Sequence, residues 1–285
     1  MSGKIILSAD STCDIGPALQ QRYDVRFFDS HIQIGEKTYT DRVDISTQEI
    51  FRLWREEGIL PKTAAITPED YAAFFRGWVE EGYEVLHINL GSGLSSAHQN
   101  CLLVAQELGH IHLVDSASLS TGVGLLVVKA GELLEAGLSA PEAQRELIRL
   151  REKSSASFVL DTLEFMAAGG RCGAVAAFGA NLLKLKPCIR VDNHNAGLMS
   201  VGKKYRGAME KVLAEYVRDQ LSGRDDLDLD HVFITQACSP QSDIELVRAE
   251  IQKYAAFKHI HVTDASGTIA SHCGPRTLGV LFLTA

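Results

Sequence analysis

The sequence predicts a two-domain α/β protein: a parallel-sheet α/β domain over residues 1–154 and an α+β domain over residues 155–285. Three observations carry this. In the first half, short apolar runs alternate with amphipathic segments, the pattern of parallel βαβ units. In the second half a hairpin pattern precedes further strand–helix alternation, so antiparallel and parallel pairing mix. The 285 residues are 46% hydrophobic and 22% charged, about two domains' worth of ordinary globular chain with ample apolar material for a core.

In chain order, residues 4–10 read as a short buried strand, 16–23 as a helix, 25–28 as an extended segment and 32–39 as a hairpin turning at Gly35-Glu36. Ile50, Leu53 and Trp54 share one face of a helix over 46–57. Thr67-Pro68-Glu69-Asp70 opens the next helix: Thr67 caps it, Pro68 supplies a helical φ without needing a donor, and two acids meet the positive helix end. Strand 83–90, helix 95–108, strand 111–114 and helix 119–136 follow. A charged helix over 140–153 links the halves. Beyond it come an extended segment at 158–161, a small-residue stretch at 167–183, and a hairpin pairing 187–191 with 198–201. Helix 206–221, a solvated acidic loop at 224–230, strand 232–236, helix 241–254, strand 259–263 and an apolar last strand at 277–283 complete the reading.

The net charge of −8, from 28 basic and 36 acidic residues, argues against binding nucleic acid through its backbone. The longest apolar stretches, 122–128 and 173–180, fall short of the ~18–20 residues of a membrane span. Met1-Ser2-Gly3-Lys4 leads into the first strand without a signal-peptide pattern, so the expectation is a soluble, cytoplasmic protein. Six scattered cysteines with no C-x-x-C read as reduced, buried thiols. His110-x-His112 and His259-x-His261 lack a third ligand signal, so no metal is expected. No G-x-S-x-G, H-E-x-x-H or P-loop motif is present.

The chemistry concentrates where the strand 83–90 ends in Gly91-Ser92-Gly93-Leu94-Ser95-Ser96 and opens into a helix. Glycines admit a ligand close to the backbone, and the free N–H groups of a first helical turn attract an anion. Two ligand readings stand beside plain capping by Ser95. Gly91-x-Gly93-x-x-Ser96 imitates a dinucleotide fingerprint, with Asp115 about 22 residues on where a ribose-binding acid belongs, though Ser96 replaces the third glycine. Alternatively, Ser92, Ser95 and Ser96 add hydroxyl donors for a smaller anion such as a carboxylate. Asp10-Ser11-Thr12, Lys62-Thr63 and Asp115-Ser116 occupy other strand or helix ends, and loops at the carboxyl ends of parallel strands converge on one crevice. In the second half, Arg171 after two glycines reads as a surface arginine or an anion ligand, and His272, just before the final apolar strand, as a structural histidine. Lys203-Lys204-Tyr205-Arg206 is a basic patch that is either solvated or a docking face.

Taken in order, these motifs resemble the DegV family of bacterial lipid-binding proteins. The likeness runs through Asp10-Ser11-Thr12, Lys62-Thr63, Gly91-Ser92-Gly93-Leu94-Ser95, Asp115-Ser116, Leu163-Glu164-Phe165 with Gly169-Gly170-Arg171, Leu182-Leu183-x-Leu185-Lys186-Pro187, Lys204-Tyr205-Arg206 and His272-Cys273-Gly274-Pro275. The resemblance implies a two-domain DegV-like fold, with a mixed sheet in the C-terminal domain, that holds one long-chain fatty acid between the domains. It implies a carrier without catalytic residues or cofactor, a monomer or weak dimer that presents the carboxyl group to a separate fatty acid kinase for acyl phosphate formation. On that basis Thr63 and Ser95 hold the carboxylate, and Ser92 and Gly93 shape the loop. Arg171, His272, Asp10, Ser11 and Ser116 lie near the head group or phosphoryl group. Phe165, Met166, Phe178, Leu182, Leu183 and Ile189 line the acyl tunnel, and Lys204 and Arg206 face the kinase. Two departures stand out. The family's Thr-Ser-Gln-Pro-Ser is here Thr63-Ala64-Ala65-Ile66-Thr67, and Arg276 replaces the glycine that closes His-x-Gly-Pro-Gly, where its side chain narrows the entrance or adds positive charge.

Overall fold

The computed structural model describes residues 4–173 and 185–285. Its strands are β1 (Ile5–Asp10), β2 (Arg26–Phe28), β3 (His31–Ile34), β4 (Lys37–Thr40), β5 (Lys62–Thr63), β6 (Glu84–Asn89), β7 (Ile111–Asp115), β8 (Ser154–Val159), β9 (Lys186–Asp192), β10 (Leu198–Tyr205), β11 (Leu227–Ala237), β12 (His259–Asp264) and β13 (Thr277–Thr284). A four-stranded sheet in the order β2-β1-β6-β7 is parallel throughout. A six-stranded sheet, β10-β9-β8-β13-β11-β12, is antiparallel except for its β11–β12 edge pair. A small antiparallel sheet, β4-β3-β5, completes the set.

The alternation of side chains along a strand decides what each face buries. In the parallel sheet, Leu86 and Ile88 pack with Val123, Leu126 and Val127 of the helix Thr121–Glu135. Val85 and Leu113 instead pack with Tyr71 and Phe75 of Pro68–Glu80 and with Cys101 and Val104 of Ala97–Leu108. In β13, Leu278, Val280 and Phe282 meet Val212, Tyr216 and Val247 of the helices Met209–Leu221 and Gln241–Tyr254. Leu281 and Leu283 share the opposite core with Ala156, Phe158 and Phe233 of the same sheet, and with Leu125 and Val128. Thr121–Glu135 therefore sits between the two large sheets, and its first eight residues are all buried. That explains a helix nearly devoid of charge in its first two turns.

Several boundaries differ from the sequence reading. The expected acidic loop at 224–230 becomes the start of β11 from Leu227, which pairs with Thr284. Asp230 meets Lys129 and Lys258, and Asp228 lies 4.0 Å from Lys129, while Asp226 pairs with Arg224 inside the segment. The extended segment expected at 158–161 is β8 at Ser154–Val159, whose polar Ser157 is accommodated by hydrogen bonding to Tyr216 and Gln220. The linking helix stops at Leu150 and tightens into a 3-10 turn, Arg151–Lys153. Two short helices, Glu164–Gly169 and Gly267–Cys273, carry no sequence periodicity that would have marked them.

Candidate functional site

The loops after β1 and β6, the short strand β5, the helix Gly267–Cys273 and one face of the six-stranded sheet enclose a cavity of about 270 Å³. Thr63, Ser95, Arg171 and His272 are among its polar lining residues, and Leu119, Phe158, Met199 and Leu281 among its apolar ones. β5 is positioned by pairing with β3, Thr63 opposite Ile32. That places Thr63 Oγ1 3.0 Å from Nε2 of His272, on the last turn of Gly267–Cys273. Burial, with the nearby positive charge of Arg171, pushes His272 down to about 4, so its imidazole is neutral at neutral pH. Its Nδ1 has no hydrogen-bond partner and packs where a side chain on Gly169 would be: a Cβ there would lie 2.2 Å away. Gly170 then caps Glu164–Gly169 in the left-handed conformation, and exposed Arg171 donates to the Gly169 carbonyl at 2.7 Å. The Gly169-Gly170-Arg171 motif thus packs His272 and delivers a guanidinium to the cavity mouth.

The glycine–serine loop is fixed from several sides. Leu90 N–H donates to Asp10 Oδ2 at 2.8 Å, and Gly91 and Gly93 donate to the carbonyls of Ser118 and Ala196. A Cβ on Gly91 would lie 2.8 Å from the Ala196 oxygen, so the glycines here admit neighbouring backbone. Ser92 donates through both N–H and Oγ to the Asp115 carboxylate, which also accepts from Ala117 N–H. Both features the dinucleotide reading needs are therefore engaged within the protein. Ser95 Oγ accepts from Ala97 N–H at 3.2 Å, at the start of Ala97–Leu108, and lines the cavity.

Of the remaining expected site residues, Asp10 lines the cavity as a fully buried carboxylate. Burial opposes its ionisation, but His87, the Leu90 N–H and Tyr71 outweigh it and hold its pKa below the usual carboxylate value. Ser11 and Ser116 are buried in loop contacts, to Ser30 N–H and Ser118 respectively, and lie outside the lining. Ser92 and Gly93 likewise shape the loop without lining the cavity. Met166 faces the cavity. Phe165 packs edge-on against Phe51 and Trp54, and Ile189 lies in the same core cluster, both beyond the lining. Phe178, Leu182 and Leu183 lie outside the described residues. Lys204 and Arg206 are exposed at the end of β10.

Arg276 departs from expectation. It neither narrows the entrance nor adds charge there: its guanidinium turns to the buried Asp243 (2.7 Å) and to Glu210 (2.8 Å), and it is absent from the lining. Its φ of 58° is left-handed, the conformation that favours glycine at this position. Sequence reading missed Phe158, Met199, Thr268 and Leu281 as lining residues, since none belongs to a motif, and did not single out Thr12 from the Asp10-Ser11-Thr12 motif.

The DegV family of uncharacterised proteins matches this chain over residues 4–285. The chain belongs to the DegV family. A DegV domain-containing protein of Clostridium perfringens is 30% identical over 213 residues, covering 74% of this chain and 75% of that protein. One from Clostridium acetobutylicum is 28% identical over 285 residues and 98% of each chain. Among solved structures, a fatty-acid-binding DegV family protein from Thermus thermophilus superposes with a TM-score of 0.87 at 32% identity, covering 99% of this chain and all (100%) of that one. A DegV family protein from Ruminococcus gnavus, solved with vaccenic acid, shares the fold at a TM-score of 0.86 and 21% identity, covering 99% and 100% of the two chains. The parallel four-stranded sheet and mixed six-stranded sheet are thus those of two-domain DegV structures. Among the described residues, no helix is long and apolar enough to cross a membrane.

Proposed function

We propose that this chain binds a long-chain fatty acid in the cavity and presents its carboxylate, as a non-catalytic cytoplasmic carrier, to a fatty acid kinase that forms the acyl phosphate. The observation that carries the reading is that the Thr63–His272 pair and Ser95, small neutral hydrogen-bonding groups, line one cavity with Leu119, Phe158, Met199 and Leu281. Thr63 and Ser95 donate to the carboxylate, which also meets the positive N-terminal end of Ala97–Leu108. The exposed Arg171 at the mouth suits a phosphoryl group, and Lys204 and Arg206 suit an acidic partner. Burying methylenes at ~0.8 kcal/mol each gives a sixteen-carbon tail on the order of 10 kcal/mol before ordering costs. The likeness to the Thermus thermophilus fatty-acid-binding protein supports the ligand class. The kinase partnership rests on the motif resemblance and on where the basic groups lie.

In this reading the domains divide at residues 154 and 155, where the 3-10 turn Arg151–Lys153 hands over to β8. The ligand lies between them. Native mass spectrometry and organic extraction of the purified protein test the proposal. A co-purifying fatty acid is expected; a protein that yields no lipid, displaces no fluorescent fatty acid and binds NAD(P) overturns it.

A further inference from the structure

The helix that carries His272 starts on a buried carboxylate from the other half of the chain. Both oxygens of Asp41, 0% exposed, accept from that start: Oδ1 from Gly267 N–H at 2.8 Å and Oδ2 from Thr268 N–H at 2.7 Å. The Thr268 hydroxyl bonds to the same carboxylate. Glycine at 267 is what lets the two meet, since a Cβ there would lie 2.7 Å from the Cδ1 atoms of Ile32 and Ile50 and 2.8 Å from Asp41 Oδ1. Just before the helix, Thr47 Oγ1 donates to the Ala265 carbonyl at 2.8 Å. Asp41 is in turn held by the small sheet. It directly follows β4, and its N–H donates to the Ser30 carbonyl at 2.8 Å, beside the His31–Thr40 pair. On the other side of β3, Ile32 pairs with Thr63. One three-stranded sheet therefore presents Asp41 to the first turn of Gly267–Cys273 and Thr63 to His272 on its last turn.

We infer that Asp41, supported by Thr47, is the positioning residue that sets His272 against Thr63 and so shapes the carboxylate site from outside the cavity, whose lining it does not join. A helix of two turns moves as one body, so where its first turn is held decides where His272 sits, about 7.5 Å further along the axis. The Thr63–His272 bond is 3.0 Å long. Hydrogen bonding lapses beyond ~3.5 Å, so a slide of the helix by about 1 Å is enough to break it. Two N–H donors also need two acceptors. A carboxylate supplies both, whereas an asparagine amide turns a donor of its own toward one of them. The inference rests on the fatty-acid reading and adds to it a residue that acts on the ligand only through His272.

The test is a double-mutant cycle read by hexadecanoic acid displacing a fluorescent fatty acid, with a thermal melt of each variant to establish that it folds. Asp41→Asn should bind the acid on the order of tenfold more weakly than wild type, as for one lost bond to a charged group. Thr47→Val, which removes a single hydroxyl, should bind it about threefold more weakly. Neither substitution should weaken binding further in a His272→Ala background, because the group through which both act is gone. A merely structural role would lower affinity equally in both backgrounds. Asp44→Asn removes an exposed carboxylate between Asp41 and Thr47 and should bind as wild type does. Wild-type affinity in Asp41→Asn, losses that add in full onto His272→Ala, or an equal loss in Asp44→Asn each overturn the inference. If Asp41→Asn does not fold, Thr47→Val decides by the same cycle. A His272→Ala protein that binds the acid as tightly as wild type also overturns the inference and leaves the fatty-acid reading standing. Failure of the acid to displace the probe from wild-type protein overturns the fatty-acid reading and the inference with it.

Discussion

Thr63 Oγ1 and His272 Nε2, 209 residues apart in the chain, lie 3.0 Å apart across the cavity's polar end. A short edge strand and the last turn of a short helix thereby share one hydrogen bond, and the neutral state of His272 lets it serve as a donor or an acceptor without competing as a charge. If Thr63 and Ser95 hold the carboxylate, Thr63→Ala and Ser95→Ala should each weaken fatty-acid binding by ~1–3 kcal/mol, the range for a bond to a charged group. Fluorescent fatty-acid displacement measures this. Unchanged affinity in both single variants and in the double variant would place the carboxylate elsewhere.

Gly169 offers a sharper probe of the same pair. Adding one methyl group there puts a carbon 2.2 Å from His272 Nδ1, and the ring must move. Gly169→Ala should therefore lower fatty-acid affinity about tenfold, comparable to losing one strong hydrogen bond. Gly170→Ala is the control: nothing lies within 4 Å of a Cβ there, but its φ of 66° strains alanine. It should lower stability more than affinity in paired melting and displacement measurements.

How much of this was legible beforehand depended on range. The helix start at Thr67 was readable because its chemistry is local: Thr67 Oγ1 accepts from Asp70 N–H, and the Asp70 carboxylate accepts from Thr67 N–H in return. The amphipathic spacing of Ile50, Leu53 and Trp54 was readable for the same reason. Glu164–Gly169 and Gly267–Cys273 span six and seven residues, too few turns for a period to declare itself. The partner of Thr63 and the destination of Arg276 are both set by tertiary contacts that no local pattern encodes.

Asp14 gives the fold a pH dependence. Burial pushes its carboxyl up to about 7, against the hydrogen bonds from Ser120 and Ser266 that favour the charged form. Between about 4 and 7 the native state holds a proton that the unfolded chain has released, so this group's contribution to stability falls as pH rises through that window and levels off above it. Asp41, raised by burial despite its bonds from Thr268 and Gly267, adds in the same direction. Asp14→Asn cannot ionise and tolerates the left-handed φ of 53°. The depressed His272 acts in the opposite sense, so the readout is a difference: between pH 8 and pH 5.5, thermal melts should show the wild-type protein gaining stability relative to the variant. An identical change in both would mean that Asp14 does not titrate in this range.

Arg276 exchanges backbone ease for an ion pair. Arg276→Gly relieves a left-handed non-glycine residue, worth about 1 kcal/mol, but leaves Asp243, 0% exposed, without its guanidinium. Breaking a buried pair dominates, so the variant should lose ~2 kcal/mol in denaturant unfolding. Its fatty-acid affinity should stay near wild type, because the side chain points away from the cavity. A variant as stable as the parent would show that the pair contributes nothing net.

The last prediction separates carrying a lipid from presenting it. Arg171 lines the cavity mouth while Arg206 stands exposed at the end of β10, and a buried acyl tail gains nothing from either charge. Arg206→Ala should leave lipid affinity nearly intact and slow acyl phosphate formation by a supplied fatty acid kinase. Charges at an interface rim act mainly on encounter, so that defect should shrink as added salt screens the wild-type advantage. Arg171→Ala should slow phosphorylation even at saturating kinase, since a guanidinium at the mouth would bind the arriving phosphoryl oxygens directly. The two variants thus differ in what rescues them: salt narrows the gap for Arg206, and neither salt nor excess kinase does so for Arg171. If both are phosphorylated at the wild-type rate, presentation to a kinase is wrong for this chain, and the cavity serves storage or transport of the acid alone.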